Sequence, residues 1–390
     1  MRNILKSNYL LIIDLFLRIF LSILLPKVFD PVMLAKYNFV LVLFFWFMIS
    51  DFGTSLGFLL RIIRKYNSDS VNFTYILHSF LFSFFLTGTI IILYFLLPNV
   101  SKINFLPFFI TFFCLSLYSF LTTIFKGLGL FTIDSIGKII VSLGLICLIL
   151  FNGYLDAYYY ILIPYLLGAI YLLYSFRFKI NILFGKTINL FGIGIYNIKT
   201  GFILYLTNSL LIIFSLMDRV VFSGVILIEY YGNYLFCYTL SSLHVLIQNQ
   251  ITNKYYRLLL SENKTDNKKK INLILVSVLC HVVLFSIIFF MIDFHIFKNF
   301  YSKYKYLKDY IITTELICIF VSILSILYLI INSSKVRVSF LFFSYLIPII
   351  IFILYKNELF DNFYSWIFVY AFELFIAMFF LFKKDFFSLK

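Results

Sequence analysis

The chain has 390 residues, 63% of them hydrophobic, 22% aromatic and 13% charged, against roughly 45–50% apolar and roughly 25% charged usage in soluble domains. That composition excludes a soluble enzyme or binding module and points to an all-α polytopic membrane protein. The formal net charge of +15 does not argue for nucleic acid, because in a multi-pass chain basic loops follow from the positive-inside rule.

A membrane-crossing helix needs about 20 mostly apolar residues. Twelve stretches qualify, at 5–25, 38–60, 73–97, 105–124, 136–152, 157–176, 195–217, 232–250, 271–294, 310–331, 338–355 and 363–382. The first follows basic residues but carries Asp14 and Arg18 and lacks an A-x-A cleavage pattern, so it reads as a retained span rather than a leader. In a helix of about 100° per residue, Asn3, Ser7, Asp14, Arg18 and Ser22 share an arc of about 100° over roughly 28 Å. Charges within spans are costly and usually face a bundle interior or a wet cavity. The i, i+4 spacing of Asp14 and Arg18 also allows a plain structural pair.

The second span carries Asp51, and Arg61 follows it. The segment after the sixth span separates an N-terminal half, 1–176, from a C-terminal half, 195–390, through a cytoplasmic linker, 177–194. Within the linker, Gly185-Lys186-Thr187 lacks the earlier glycine of a P-loop, and Gly192-x-Gly194 stops short of a dinucleotide fingerprint.

The seventh span repeats the pattern of the first. Asn197, Thr200, Thr207, Asn208, Ser215 and Asp218 fall on a similar arc, and Lys199 and Arg219 lie near its two ends. Polar faces on the lead helix of each half are what an internally repeated transporter with a central cavity shows. Asp218 and Arg219 are equally compatible with an interfacial pair at a helix end. The polar run 261–270 reads as a solvated turn, and Glu315 and Glu373 lie within the tenth and twelfth spans.

Twelve spans place both termini on one side of the membrane. That side collects 22 of the 32 Lys and Arg residues against 9 opposite, which makes it cytoplasmic. The five cysteines sit in apolar runs with no C-x-x-C, suggesting neither disulfides nor zinc. The four histidines, His78, His244, His281 and His295, are too scattered for ligand spacing and read as ordinary buried residues.

The run 215–240, with Asp218, Arg219, Gly232 and Tyr234, resembles the region of the seventh and eighth spans in polysaccharide flippases of the multidrug/oligosaccharidyl-lipid/polysaccharide export superfamily (Wzx-type, O-antigen repeat-unit flippases). Residues 25–43 are similar to that family's first loop. Residues 49–65, with Asp51, Gly53 and Arg61, are similar to its second span, while Ala35-Lys36-Tyr37 departs from it by lacking a glycine. The likeness covers the whole chain in topology.

The resemblance implies two pseudo-symmetric six-helix bundles around a central cavity. It implies a transporter, not an enzyme, that moves undecaprenyl-diphosphate-linked oligosaccharide across the bacterial inner membrane by ion-coupled alternating access. The implied partners are this lipid-linked substrate, membrane lipids, a repeat-unit polymerase and a chain-length regulator, with the transporter itself a monomer. No cofactor is implied beyond a coupling H+ or Na+.

The chemistry of such a substrate suits the residues. A planar guanidinium binds phosphate oxygens bidentately and keeps its charge, so Arg18, the deepest cation, leads for the diphosphate, followed by Arg219 and Lys199. Ser7, Asp14, Ser22, Thr200, Thr207, Asn208, Ser215 and Asp218 are the expected cavity lining. Asp14, Asp51, Glu315 and Glu373 are the ion-coupling candidates. Two alternatives remain, a repeat-unit polymerase and a multidrug exporter of the same superfamily. A polymerase calls for a large outer loop, where 295–309 is short, and an exporter needs less cationic character than Arg18 supplies.

Overall fold

A computed structural model of the chain describes residues 2–48, 51–65, 70–95, 105–151, 155–179, 181–183, 190–225, 227–259, 267–293, 301–304, 307–332, 337–355 and 363–382. Gly185-Lys186-Thr187, residues 261–266 of the polar run, and 295–300 and 305–306 of the outer loop lie outside the described residues, as does the side chain of Ser7.

The described residues form fourteen α-helices and two short strands. In chain order these are α1 (Arg2–Val28), α2 (Pro31–Met48), α3 (Thr54–Lys65), β1 (Ser70–Asn72), α4 (Phe73–Phe95), α5 (Phe105–Gly127), α6 (Phe131–Phe151), α7 (Ala157–Lys179), β2 (Asn181–Leu183), α8 (Leu190–Val225), α9 (Ile228–Ser241), α10 (Leu243–Leu259), α11 (Asn267–Asp293), α12 (Leu307–Asn332), α13 (Arg337–Tyr355) and α14 (Phe363–Phe382). Seven of them, α4 to α8, α11 and α12, are long and apolar enough to cross a membrane, and α2, α13 and α14 supply shorter apolar stretches. The chain is a multi-pass membrane protein. Its helices show the matching surface: α11 leaves Leu275, Val276, Leu279, Val282, Val283, Ile287 and Phe290 exposed, an apolar face that hydrocarbon, not water, accommodates.

The expected count of twelve uninterrupted spans is not reached among the described residues. The second expected span, 38–60, is two helices, because Phe52 (φ 50) and Gly53 (φ 84) leave the right-handed region between α2 and α3. Asp51 then caps α3: Oδ1 accepts from the Gly53 N–H at 2.8 Å, and Oδ2 accepts from the Ser55 N–H at 3.0 Å and from the Ser55 hydroxyl. The eighth, 232–250, is interrupted at Ser242 between α9 and α10, where the Ser242 hydroxyl donates to the Thr239 carbonyl at 2.6 Å.

The chain divides into two compact units, residues 1–24 with 40–205 and residues 25–39 with 206–390. The division runs inside α8. Part of the 177–194 segment is β2, which pairs in parallel with β1 in the register Ser70↔Asn181, Val71↔Ile182 and Asn72↔Leu183.

In the first unit α7 packs against α5 and α6, and α3 against α4 and α5. The core gathers Phe58, Tyr75, Phe120, Ile124, Phe125 and Leu172, with Phe58 and Phe120 stacked at 4.9 Å. The first half of α8 belongs here because it lies almost backbone to backbone on α3. A Cβ on Gly57 would stand 1.9 Å from the Asn197 carbonyl oxygen, and one on Gly201 would stand 2.4 Å from that of Gly53. Only glycine permits such an approach.

In the second unit α12 is the central helix, contacted by α9, α10, α11, α13 and α14. Residues 25–39 join it through the start of α2: a Cβ on Gly232 of α9 would fall 2.3 Å from the Pro31 carbonyl oxygen. The turn at 301–304 fastens the same segment, with Tyr304 donating to the Phe29 carbonyl at 2.9 Å and Lys303 to the Lys27 carbonyl at 2.6 Å.

Candidate functional site

Each unit holds its own polar centres. In the first, Arg18 Nε donates to Asp14 Oδ1 at 2.9 Å, one helical turn apart on α1. Asp14 is fully buried, whereas the Arg18 side chain keeps 34% of its surface exposed. The bond uses only Nε, and among the described residues the two Nη groups hold no other acceptor. Tyr118 of α5 and Tyr165 of α7, edge to face at 5.2 Å, lie within electrostatic range of the guanidinium. Ser22 is buried and donates to the Arg18 carbonyl of its own helix at 2.9 Å.

A second pair in this unit escaped sequence reasoning. Lys138 Nζ donates to Asp134 Oδ2 at 2.7 Å on α6, with 14% of the lysine side chain exposed. Lys138, one of the 22 basic residues counted to the cytoplasmic side, lies within a candidate span. Its i, i+4 acid was the available signal. Arg61 likewise does not simply exit α3: its guanidinium carbon lies 4.1 Å from the centroid of Tyr75 and 5.1 Å from that of Tyr196. Tyr75 in turn donates to Asn197 Oδ1, and Asn197 Nδ2 donates to Ser79 at 3.0 Å.

The α8 stripe is therefore not one open face. Asn197 is consumed inside the first unit. Thr200 donates to its own helix at the Tyr196 carbonyl (2.8 Å) and Ser215 at that of Ile212 (2.9 Å). Thr207 is buried, while Asn208 and Lys199 are exposed.

In the second unit Asp218 is sealed instead of lining an opening. It is 0% exposed and accepts from the hydroxyls of Tyr234 on α9 and Tyr370 on α14, the latter at 3.0 Å. Arg219 stacks its guanidinium 4.1 Å from the Tyr238 ring centroid and donates to the Ser215 carbonyl, while its buried Nε has no partner among the described residues. The neighbouring charges of the sequence thus part company, the aspartate tying three helices together and the arginine resting on an aromatic face.

Of the other acids, Asp51 is occupied as the α3 cap. Glu373 is buried, with Oε1 accepting from Tyr328 and Oε2 without a partner among the described residues. Glu315 stands in a buried polar cluster. Ser241 donates to its Oε1 at 3.0 Å, and His244 Nε2 lies 2.5 Å from its Oε2. His244 Nδ1 faces His281 Nδ1 at 3.0 Å, and His281 Nε2 faces Gln248 Oε1 at 3.2 Å. Both histidines had been read as ordinary core residues. The legible signal was spacing: His244 and Gln248, and likewise Ser277 and His281, are four residues apart, which places each pair on one helical face. Among the described residues no group of three or more His, Cys, Asp or Glu is arranged to hold a metal ion. Compared with known proteins, the chain matches no protein-family model and no curated protein sequence.

Proposed function

We propose that the protein is a lipid-linked oligosaccharide flippase, translocating polyprenyl-diphosphate-linked repeat units across the bacterial inner membrane by ion-coupled alternating access. The twelve-pass, two-half arrangement with both termini cytoplasmic belongs to this reading. The observation that carries it is Arg18. A guanidinium midway along an apolar helix is costly, and here its charge is balanced by a buried carboxylate through Nε while the side chain stays about a third exposed. The guanidinium suits the two oxygens of a phosphate group, which a planar fork engages bidentately.

Arg219, resting on Tyr238, and the exposed Lys199 offer further cationic contacts. The ordered acids separate by engagement: Asp14 balances Arg18 and Asp51 caps a helix, which leaves Glu315 and Glu373 as the carboxylates for ion coupling.

The test is complementation of a flippase-null strain, with accumulation of the lipid-linked intermediate in the inner leaflet as readout. Arg18→Ala is expected to accumulate the intermediate while the protein inserts at normal levels, and Arg18→Lys to restore export only in part, because a point charge lacks the fork. Full export by Arg18→Ala overturns the assignment.

A further inference from the structure

The cluster around Glu315 is built so that its protons can be counted. Gln248 Nε2 donates to Thr252 at 3.1 Å, and the Thr252 hydroxyl is spent on the Gln248 carbonyl at 2.7 Å. The amide is thereby oriented with Oε1 accepting from Ser277 and facing His281 Nε2. His281 Nε2 must then carry a hydrogen.

The contact between the two Nδ1 atoms at 3.0 Å needs one hydrogen and no more. None leaves two lone pairs facing each other, and two would collide. The contact between His244 Nε2 and Glu315 needs one as well, borne by either partner. Three protons on three groups satisfy every bond, with zero net charge, whether Glu315 is neutral or is an anion beside a histidine pair sharing one positive charge. Loss of one proton leaves the three groups at −1 with two hydrogens for three contacts; with one held between His244 and the Glu315 anion and one on His281 Nε2, the Nδ1 pair is unbridged and its two lone pairs drive α10 and α11 apart there. Ser241, His244, Gln248, Ser277, His281 and Glu315 are each at most 1% exposed, so the proton reaches water only as that contact opens.

From this geometry we propose that Glu315, His244 and His281 form a proton-exchange site inside the second unit. It releases and regains one proton per transport cycle, which makes the coupling ion H+ and not Na+. The proposal rests on the transport reading above and names its driving ion. Imidazole nitrogens turned on one another and on a carboxylate make a proton relay, whereas Na+, a hard cation like Mg2+ or Ca2+, calls for oxygen ligands.

Few other titratable groups face the site. On α12 Cys318 lies near Glu315. On α9 Tyr238 contacts Cys318 and stacks under Arg219, beside Asp218 of α8. On α14 Glu373 is engaged by Tyr328, 13 residues beyond Glu315 and so about 20 Å along the helix. On α11 Lys270 is 11 residues from His281, about 16 Å. None of these substitutes for the three.

The experiment uses the purified full-length protein in proteoliposomes, with a fluorescent short-chain polyprenyl-diphosphate glycan as probe. An imposed pH gradient is expected to drive flipping and an Na+ gradient to leave it unchanged. Glu315→Gln and His281→Asn are expected to lose the response to the pH gradient. Flipping driven by Na+ and indifferent to pH overturns the proposal.

Two further measurements keep this separable from the substrate reading and from misfolding. Infrared difference spectra of the protein without probe, taken across about pH 5 to 9, where histidines titrate, are expected to show coupled carboxyl and imidazole bands. These persist in Arg18→Ala and vanish in Glu315→Gln. Identical spectra in Glu315→Gln and the unaltered protein defeat the relay even if flipping is observed, while flipping retained by Arg18→Ala defeats only the diphosphate site. Nitrogen NMR of the unaltered protein labelled at histidine needs no variant: the Nδ1 signals should show the shared hydrogen at the acidic end and lose it at the alkaline end. Signals constant across the range contradict the proposal.

Discussion

Asp14 and Arg18 show how much one hydrogen bond decides at the scale of a residue. Removing one member of a fully buried ion pair costs about 3–5 kcal/mol because it strands the other charge. Arg18 keeps a third of its side chain exposed, so the cost here falls below that range. Asp14→Ala is expected to lower the thermal unfolding temperature of the purified protein, and the double Asp14→Ala, Arg18→Ala variant to lose less than the two single variants lose together. A double variant whose loss equals the sum of the Asp14→Ala and Arg18→Ala losses would show that the pair is not coupled. Asp218 is a structural counterpart. A hydrogen bond to a charged group is worth about 1.5–3 kcal/mol, so Tyr234→Phe and Tyr370→Phe should each destabilise by roughly that amount, measurable as a shift in the melting temperature. The sequence showed the Asp-Arg and Gly-x-Tyr pieces as separate signals, and the structure shows that Asp218 and Tyr234 are hydrogen-bond partners.

Among elements, the broken second span carries the most information. Its interruption at 51–53 lets α3 begin with a carboxylate cap, whose loss in Asp51→Ala should cost about 0.5–2 kcal/mol. Its glycines let α3 and the first half of α8 approach at backbone distance. Gly57→Val would drive a side chain into the Asn197 carbonyl, and overpacking of this kind costs about 1–3 kcal/mol even where the surroundings yield. Reduced yield of folded protein in detergent, measured by size-exclusion profile, is the expected outcome, and an unchanged profile would refute the close packing. Apolar runs alone did not reveal the break, because 38–60 is as greasy as an unbroken span. Asp51 and Gly53 were visible as residues, but that Asp51 caps α3 is seen only in its bonds to the Gly53 and Ser55 amides. Lys138 was misread for a related reason: a cation near the edge of an apolar run looks like a loop residue until its acid partner is seen one turn away.

On the scale of the whole molecule, the positive-inside count predicts where the ends lie. Reporter fusions at the N- and C-termini should both report the cytoplasm, and opposite sides for the two would contradict an even number of crossings. The length and greasiness of the helices were legible from composition, since a stretch of 20 apolar residues has no stable place except in hydrocarbon or a core. Residue types and helical period also placed Asp14 and Arg18 one turn apart on the same face of the first helix. Which helix each face meets was not legible: nothing in the order of residues says that His244 of α10 meets His281 of α11 and Glu315 of α12. By itself the sequence determined that this chain lives in a membrane and where its charges fall along each helix, because hydropathy and helical pitch are local properties. Only the tertiary structure decided which charges are spent as caps and ties, because pairing between helices distant in sequence depends on packing that no single segment contains.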